Sequence, residues 1–218
     1  MSDRSAATRE KMLEVAETLF ARMGYEGAHL ERIASEVGVR KTALYYYFDS
    51  KEALYVRVLE RMLLDYESKL GAVLRLELPT AKKAEQLLDA LNDLLAEHPN
   101  YSQILIRIFV DRIPIDNSTI APIIERVVGS SLRFIRDGVE EGVFRNVSAR
   151  HLFQSTLGMA VFHYAGGEFS AAVLGVDDVF GESAVSWRRQ EFRRVILGAV
   201  LVDMVELPLI LIEIPFAG

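Results

Sequence analysis

Glu31-Arg32-Ile33-Ala34-Ser35-Glu36-Val37-Gly38-Val39-Arg40-Lys41-Thr42-Ala43-Leu44-Tyr45-Tyr46-Tyr47-Phe48-Asp49-Ser50-Lys51-Glu52-Ala53-Leu54 divides into a helix, a glycine turn, a short second helix and the start of another. Ile33, Ala34 and Val37 recur at helical spacing and mark the inward side of the first helix. Gly38 supplies the backbone freedom that a sharp turn needs. Val39 and Leu44 are placed to fill the angle between the two helices. Arg40, Lys41, Thr42, Tyr45 and Tyr46 are then left outward, and Ala43 is small enough to permit a close approach. Such a face suits the DNA major groove, where Lys or Arg bonds guanine acceptors, Thr serves donors or acceptors, and Ala meets a thymine methyl. Tyrosine hydroxyls and Lys51 suit phosphate oxygens, which fix register without reading sequence.

Upstream, a first helix is expected from about Ala6 to Met23, with Met12, Leu13, Val15, Ala16, Leu19 and Phe20 on one stripe and Gly24 ending it. The runs Leu19-Phe20-x-x-x-Gly24-Tyr25 and Gly38-Val39-x-Lys41-x-x-Leu44-Tyr45-x-Tyr47-Phe48-x-Ser50-Lys51-x-x-Leu54 resemble the TetR/AcrR family of bacterial transcriptional regulators over roughly fifty residues. Glu141-Gly142-Val143-Phe144-Arg145 is a weaker echo, similar to a mid-domain turn in many members. The resemblance implies an all-α fold, with a three-helix helix-turn-helix DNA-binding domain over residues 1–50 and a larger helical domain for effector binding and dimerisation over 51–218. Two places depart from the pattern. Ala28 and His29 stand where the family opens its second helix with Thr or Ser, so the usual hydroxyl cap is missing. Thr42-Ala43 stands where a Gly-Thr or similar pair often lies, so the operator sequence cannot be copied from a relative.

With 218 residues, half of them hydrophobic, the chain can hold a small domain and a larger one around a sizeable core. The absence of cysteine excludes disulfides, thiolate metal sites and cysteine nucleophiles. The start, Met1-Ser2-Asp3-Arg4-Ser5, has no apolar signal core, and no apolar run reaches the length of a bilayer span, so a soluble cytoplasmic protein without membrane association is expected. The net charge of -6 is unusual for a DNA binder until it is located: residues 1 to 57 carry nine basic and nine acidic side chains, so the whole excess lies beyond them. Nonspecific affinity for DNA should therefore be modest, and binding should depend on dimerisation and fit.

Further helices are expected as follows. Ser50 should cap a fourth that is long enough to enter the larger domain. A fifth should follow Pro79-Thr80 and stop at His98-Pro99. The sixth, Tyr101 to Ile113, is so apolar that it should lie deep in the body. A seventh of about twenty residues should follow Asp116-Asn117-Ser118 and close at Gly142. Ser148 should cap an eighth that ends at Gly166-Gly167, and a ninth should run from Trp187 to about Val205. The stretch from Glu168 to Ser186 is mixed, either a short helix or a crossover. The tail Leu207 to Phe216 has β propensity and considerable apolar weight.

The candidate DNA contacts are thus Arg40, Lys41, Thr42, Ala43, Tyr45, Tyr46, Tyr47 and Lys51, with His29 at the start of the second helix. The resemblance further implies a homodimer on a double-stranded DNA operator and a small hydrophobic or amphipathic effector that releases a repressor. Tyr101, Phe109, Phe134, Phe162 and His163 are the candidate effector contacts, although each also reads as plain core packing. Arg107, Asp111 and Arg112 stand out because charges in so apolar a helix need partners or solvent. The eighth and ninth helices carry small residues, Gly158, Ala160, Ala165, Gly198 and Ala199, that permit close approach; in the family this pair forms a four-helix dimer interface. No cofactor, metal or catalytic site is expected. The four histidines are not paired at helical spacing, and Ser130-Ser131 and Ser155-Thr156 lack a base and an orienting acid. Two rivals stay open: a DNA-binding regulator with no small-molecule effector, and a helical lipid-associated protein, which only the apolar tail favours.

Overall fold

The computed structural model describes residues 3–111 and 118–202, apart from the side chains of residues 3, 4 and 109. These form ten helices: α1 (Asp3–Gly27), α2 (Leu30–Val37), α3 (Lys41–Tyr47), α4 (Lys51–Leu74), α5 (Thr80–Glu97), α6 (Pro99–Asp111), α7 (Ala121–Glu140), α8 (Ala149–Ala165), α9 (Gly167–Leu174) and α10 (Glu182–Val200). The all-α expectation holds. Among the described residues there is no strand, only an isolated bridge between Phe144 and Leu201. The chain divides into two compact units, one of residues 1–65 and 100–125, the other of 66–99 and 126–218.

In the first unit, Met12, Ala16, Leu19 and Phe20 of α1 are buried with Leu54, Tyr55, Val58 and Leu59 of α4. Phe20, Tyr25 and Tyr55 form an aromatic cluster with Phe20 and Tyr55 edge to face at 4.8 Å. Burial, followed by the nearby Asp111 carboxylate, pushes the Tyr55 hydroxyl up to about 12. Gly24 breaks the helical path of α1 at φ 72, where the carbonyls of the preceding turn lose their helical partners. Arg107 of α6 supplies the missing donors, giving Nε to Ala21 O and Nη2 to Arg22 O, both at 2.7 Å. That accounts for a charge in an apolar helix. The expectation that α6 lies deep is corrected on one side: Ile104 is buried, but Ile106 and Val110 are 37% and 69% exposed. Its polar residues do the anchoring instead, with Tyr101 donating to Asp65 Oδ2 at 2.5 Å and Asn100 to Glu17 Oε1 at 3.1 Å.

In the second unit, α10 packs on α5, α5 on α8, and α8 on α9. Apolar positions Leu88, Leu91 and Leu95 of α5 meet this core, while Asp89 and Asp93 hold Arg193 and Arg189 of α10. The buried amide of Asn92 accepts from the Tyr164 hydroxyl at 2.9 Å. The turn at Gly142, φ 71, sends Phe144 back over α7, and Arg145 N–H donates to Val200 O at 2.7 Å, fixing the end of α10. The helix expected from Trp187 begins five residues earlier, at Glu182 after an extended Gly181. The mixed stretch resolves into α9, closed by Gly175 at φ 65. Ser148 precedes α8 as expected, but its side chain makes no cap bond. Arg112, the Asp116-Asn117 break and the apolar tail lie outside the described residues.

Candidate nucleic-acid interface and internal cavity

The two short helices are joined through Gly38. Its N–H reaches Ser35 O at 3.1 Å and the Val39 N–H reaches Ala34 O at 2.9 Å, the paired bonds of a Schellman ending, which need the left-handed φ of 86 at the glycine. Ile33, Ala34 and Val37 face inward from α2, and Leu44, 1% exposed, and Phe48 anchor α3. Seven residues make an isolated helix marginal, so α3 owes its place to this apolar underside. What remains outside is a single face: Arg40, Lys41, Thr42, Tyr45 and Tyr46 are exposed, Ala43 is half-buried among them, and Tyr46 is 82% exposed. A bulky aromatic left so open on a rigid helix contributes nothing to the core and is available for contact.

The polar groups here are positioned. Lys41 Nζ meets Glu31 of α2 at 2.5 Å. This bond raises the lysine above its ordinary value and lowers the carboxylate below its own. Ser50 caps α4 through its hydroxyl, which accepts from Ala53 N–H at 2.9 Å. As the first residue of α4, Lys51 places Nζ 4.6 Å from the centre of the Tyr25 ring and donates to Glu26 O at 3.2 Å. Tyr47 is half-buried and its hydroxyl shares a hydrogen bond with Ser5 at 3.2 Å, while its ring meets Tyr46 edge to face at 5.1 Å. His29 is the exposed residue before α2 and makes no side-chain cap bond, as the missing hydroxyl foretells. Eight of the nine sequence candidates thus fall on α3, its flanks and the start of α4, with His29 opening α2.

The candidate effector residues do not converge. Among those whose side chains are described, only Phe134 lines an apolar cavity in the second unit, bounded by α4, α5, α7, α8, α10 and Phe144, with about 90 Å³ open to the centre of a water molecule. Leu70, Leu88, Leu91, Ile135 and Leu197 make up much of its wall. Tyr101 is buried in the first unit against Asp65, and Phe162 is 61% exposed on α8. His163 is buried on the other side of that helix, Nε2 without a partner. The side chain of Phe109 lies outside the described residues. Burial first, and the Arg188 guanidinium second, lowers the His163 imidazole to about 4. Arg188 itself lies over the Phe192 ring and donates to Met159 O at 2.8 Å. The polar cavity residues Tyr66, Ser131 and Thr156 were not anticipated. In sequence they stand at ordinary helical positions, and nothing but the fold brings them together.

A short reading helix held by an apolar underside behind a glycine turn, with its cations and tyrosines outward, defines a helix-turn-helix DNA-binding protein. Residues 12–58 match the model of the bacterial regulatory proteins of the tetR family. The chain is 24% identical over 184 residues to the HTH-type transcriptional repressor NicS of Pseudomonas putida, covering 83% of this chain and 86% of that one. It is 26% identical over 201 residues to the HTH-type transcriptional regulator RutR of Escherichia coli K12, covering 89% and 91%. In fold it is similar to the ketosteroid transcriptional regulator KstR2 of Mycobacterium tuberculosis, with a TM-score of 0.72 at 17% identity over 93% of this chain and 97% of that one. Over residues 12–58 the chain is thus similar to the DNA-binding region of the tetR family.

Proposed function

We propose that the chain is a homodimeric, cytoplasmic repressor whose residues 1–50 read an operator in double-stranded DNA and whose residues 51–218 dimerise and bind a small hydrophobic effector that releases it. The observation that carries this reading is the exposed face of Arg40, Lys41, Thr42, Tyr45 and Tyr46 on a helix fixed from beneath by Leu44 and Phe48. Lys41 and Arg40 read base edges, whereas Tyr47, Lys51 and His29 address the sugar-phosphate backbone. No catalytic activity is part of the reading.

Two features support the rest. On α8 the exposed residues His151, Ser155, Gly158 and Phe162 follow one another at helical spacing, and Phe169 and Val173 of α9 continue the apolar surface at 64% and 68% exposure. A stripe of small and aromatic residues of this kind suits a second copy of the same helix. The cavity touches Tyr66 and Leu70 on α4, the helix whose earlier residues, from Lys51 to Asp65, belong to the first unit. A ligand that displaces α4 has different affinity for the two positions of the helix, which is what an effector requires. Two reading helices must lie about 34 to 36 Å apart to enter successive major grooves on one side of the duplex, so a change in their separation releases DNA.

The test is a mobility-shift titration of the purified chain against a selected duplex, with and without the low-molecular-weight fraction of a cell extract, beside sedimentation of the wild type and of Phe162→Asp. A dimer that the substitution splits, and DNA binding that the extract abolishes, are expected. A monomer that binds DNA unaltered by any extract contradicts the reading.

A further inference from the structure

We infer that the cavity of the second unit selects an uncharged ligand, a ring or short branched hydrocarbon bearing one hydrogen-bonding group, and rejects carboxylates and coenzyme A thioesters. This rests on the reading of that cavity as the effector site, and it follows from the inventory of its wall. Sixteen residues line it, and none carries a charge. Its polar side chains are Tyr66, Ser131 and Thr156. The Ser131 hydroxyl donates its one proton to Val127 O at 2.9 Å, which leaves it only accepting capacity. The Tyr66 hydroxyl can both donate and accept. Burial raises this phenol above its ordinary value and keeps it neutral.

The Thr156 hydroxyl finds no partner among the described residues, although threonines in helices commonly donate to the carbonyl one turn back. It and Tyr66 are the two groups of the three that can still donate. An ionised acid would meet two neutral hydroxyl donors and no cation, which leaves a buried charge uncompensated. A phenol or alcohol can instead give its proton to Tyr66 and take one from Thr156, while a ketone takes one from either hydroxyl. An adjoining groove shares Phe134 and offers an acid no refuge. Its Lys83 and Arg133 are balanced by Asp137 and Glu141, and Lys83 already donates to Leu74 O at 3.1 Å. The size limit comes from the volume: about 90 Å³ open to water centres is several times what one water needs, and an apolar space of this order stays dry and accepts a molecule near the size of a benzene ring.

The experiment measures binding of p-cresol, toluene, 4-methylbenzoate and acetyl coenzyme A to the full chain at neutral pH, by calorimetry and by the shift in its thermal unfolding. The expected order is p-cresol tightest, toluene next, and 4-methylbenzoate at least about tenfold weaker than p-cresol, with no binding of the thioester. Thr156→Val should weaken p-cresol about three- to tenfold and leave toluene unchanged. Ala84→Phe, which fills the cavity, should remove binding of both. If 4-methylbenzoate binds as tightly as p-cresol, or Thr156→Val weakens toluene equally, the inference is overturned and the cavity remains an effector site of another kind. If Ala84→Phe folds and binds p-cresol as before, or no probe binds at all, the effector reading of the cavity fails together with it.

Discussion

Lys41 and Lys51 look alike in sequence and differ in setting. Lys41 projects from the reading helix, held by Glu31 at 2.5 Å, whereas Lys51 is tied to Glu26 O and the Tyr25 ring at the foot of α4. A lysine that reads a base and one that grips a phosphate fail differently. Lys41→Ala should relax base preference and cost about 1 to 3 kcal/mol of operator binding, while Lys51→Ala should weaken all sequences and reduce the salt slope by about one. Equal losses across every base substitution for both variants, measured by fluorescence anisotropy, would refute the division. His163 supplies a pH test. Its imidazole falls from an ordinary 6.5 to about 4 on folding, so between these values the unfolded chain binds a proton that the folded chain does not. Its contribution to stability is therefore full above about pH 6.5 and declines as pH falls towards 4, by a total on the order of 3 kcal/mol. A histidine-resolved NMR titration should place its midpoint near 4, and a midpoint near the ordinary value contradicts the burial. The exposed face of α3 was legible because Gly38, Leu44 and Phe48 fix which side of the helix is inward. The lining of the cavity was not, because an aromatic residue on an apolar helix face looks the same whether it lines a cavity or fills a core.

At the level of elements, local signals placed what local forces decide. Gly24, Gly38, Gly142 and Gly175 all take a positive φ and each ends or breaks a helix, and Ser50 does cap α4. Distant partners escaped the sequence. Nothing near Arg107 announces that it will serve the carbonyls of Ala21 and Arg22, and an apolar count alone put all of α6 inside. The start of α10 was missed because Glu182 to Ser186 carry no apolar rhythm, and their helix is held through α5 by Arg189 and Arg193. Two glycines separate conformational from steric needs. At Gly38 a Cβ would meet nothing within 4 Å, so Gly38→Ala should cost only the left-handed backbone, about 1 to 2 kcal/mol. At Gly138 a Cβ would lie 2.3 Å from the ring of Phe144, which is itself part of the cavity wall. Gly138→Ala should cost about 1 to 3 kcal/mol through overpacking and also alter ligand binding. Denaturant unfolding of both variants tests the contrast, and a Gly138→Ala protein as stable as the wild type contradicts the packing of Phe144.

For the whole molecule, charge and fold set a balance. The net charge of -6 lies beyond the first 57 residues, so long-range repulsion opposes the approach of the α3 face to DNA, and in the proposed dimer specificity comes from shape and from two heads acting together. Among the described residues no helix is long and apolar enough to cross a membrane. The lipid-associated reading rested on Leu207 to Phe216, which lie outside the described residues. The most direct measurement is selection of bound fragments from random duplex DNA at low ionic strength, with the wild type beside a Lys41→Ala, Tyr46→Ala double variant. The account predicts enrichment of a two-fold symmetric sequence whose half-sites are about 10 base pairs or a multiple apart, lost in the variant. Failure of the wild type to enrich any duplex, or the same enrichment in both proteins, would contradict it.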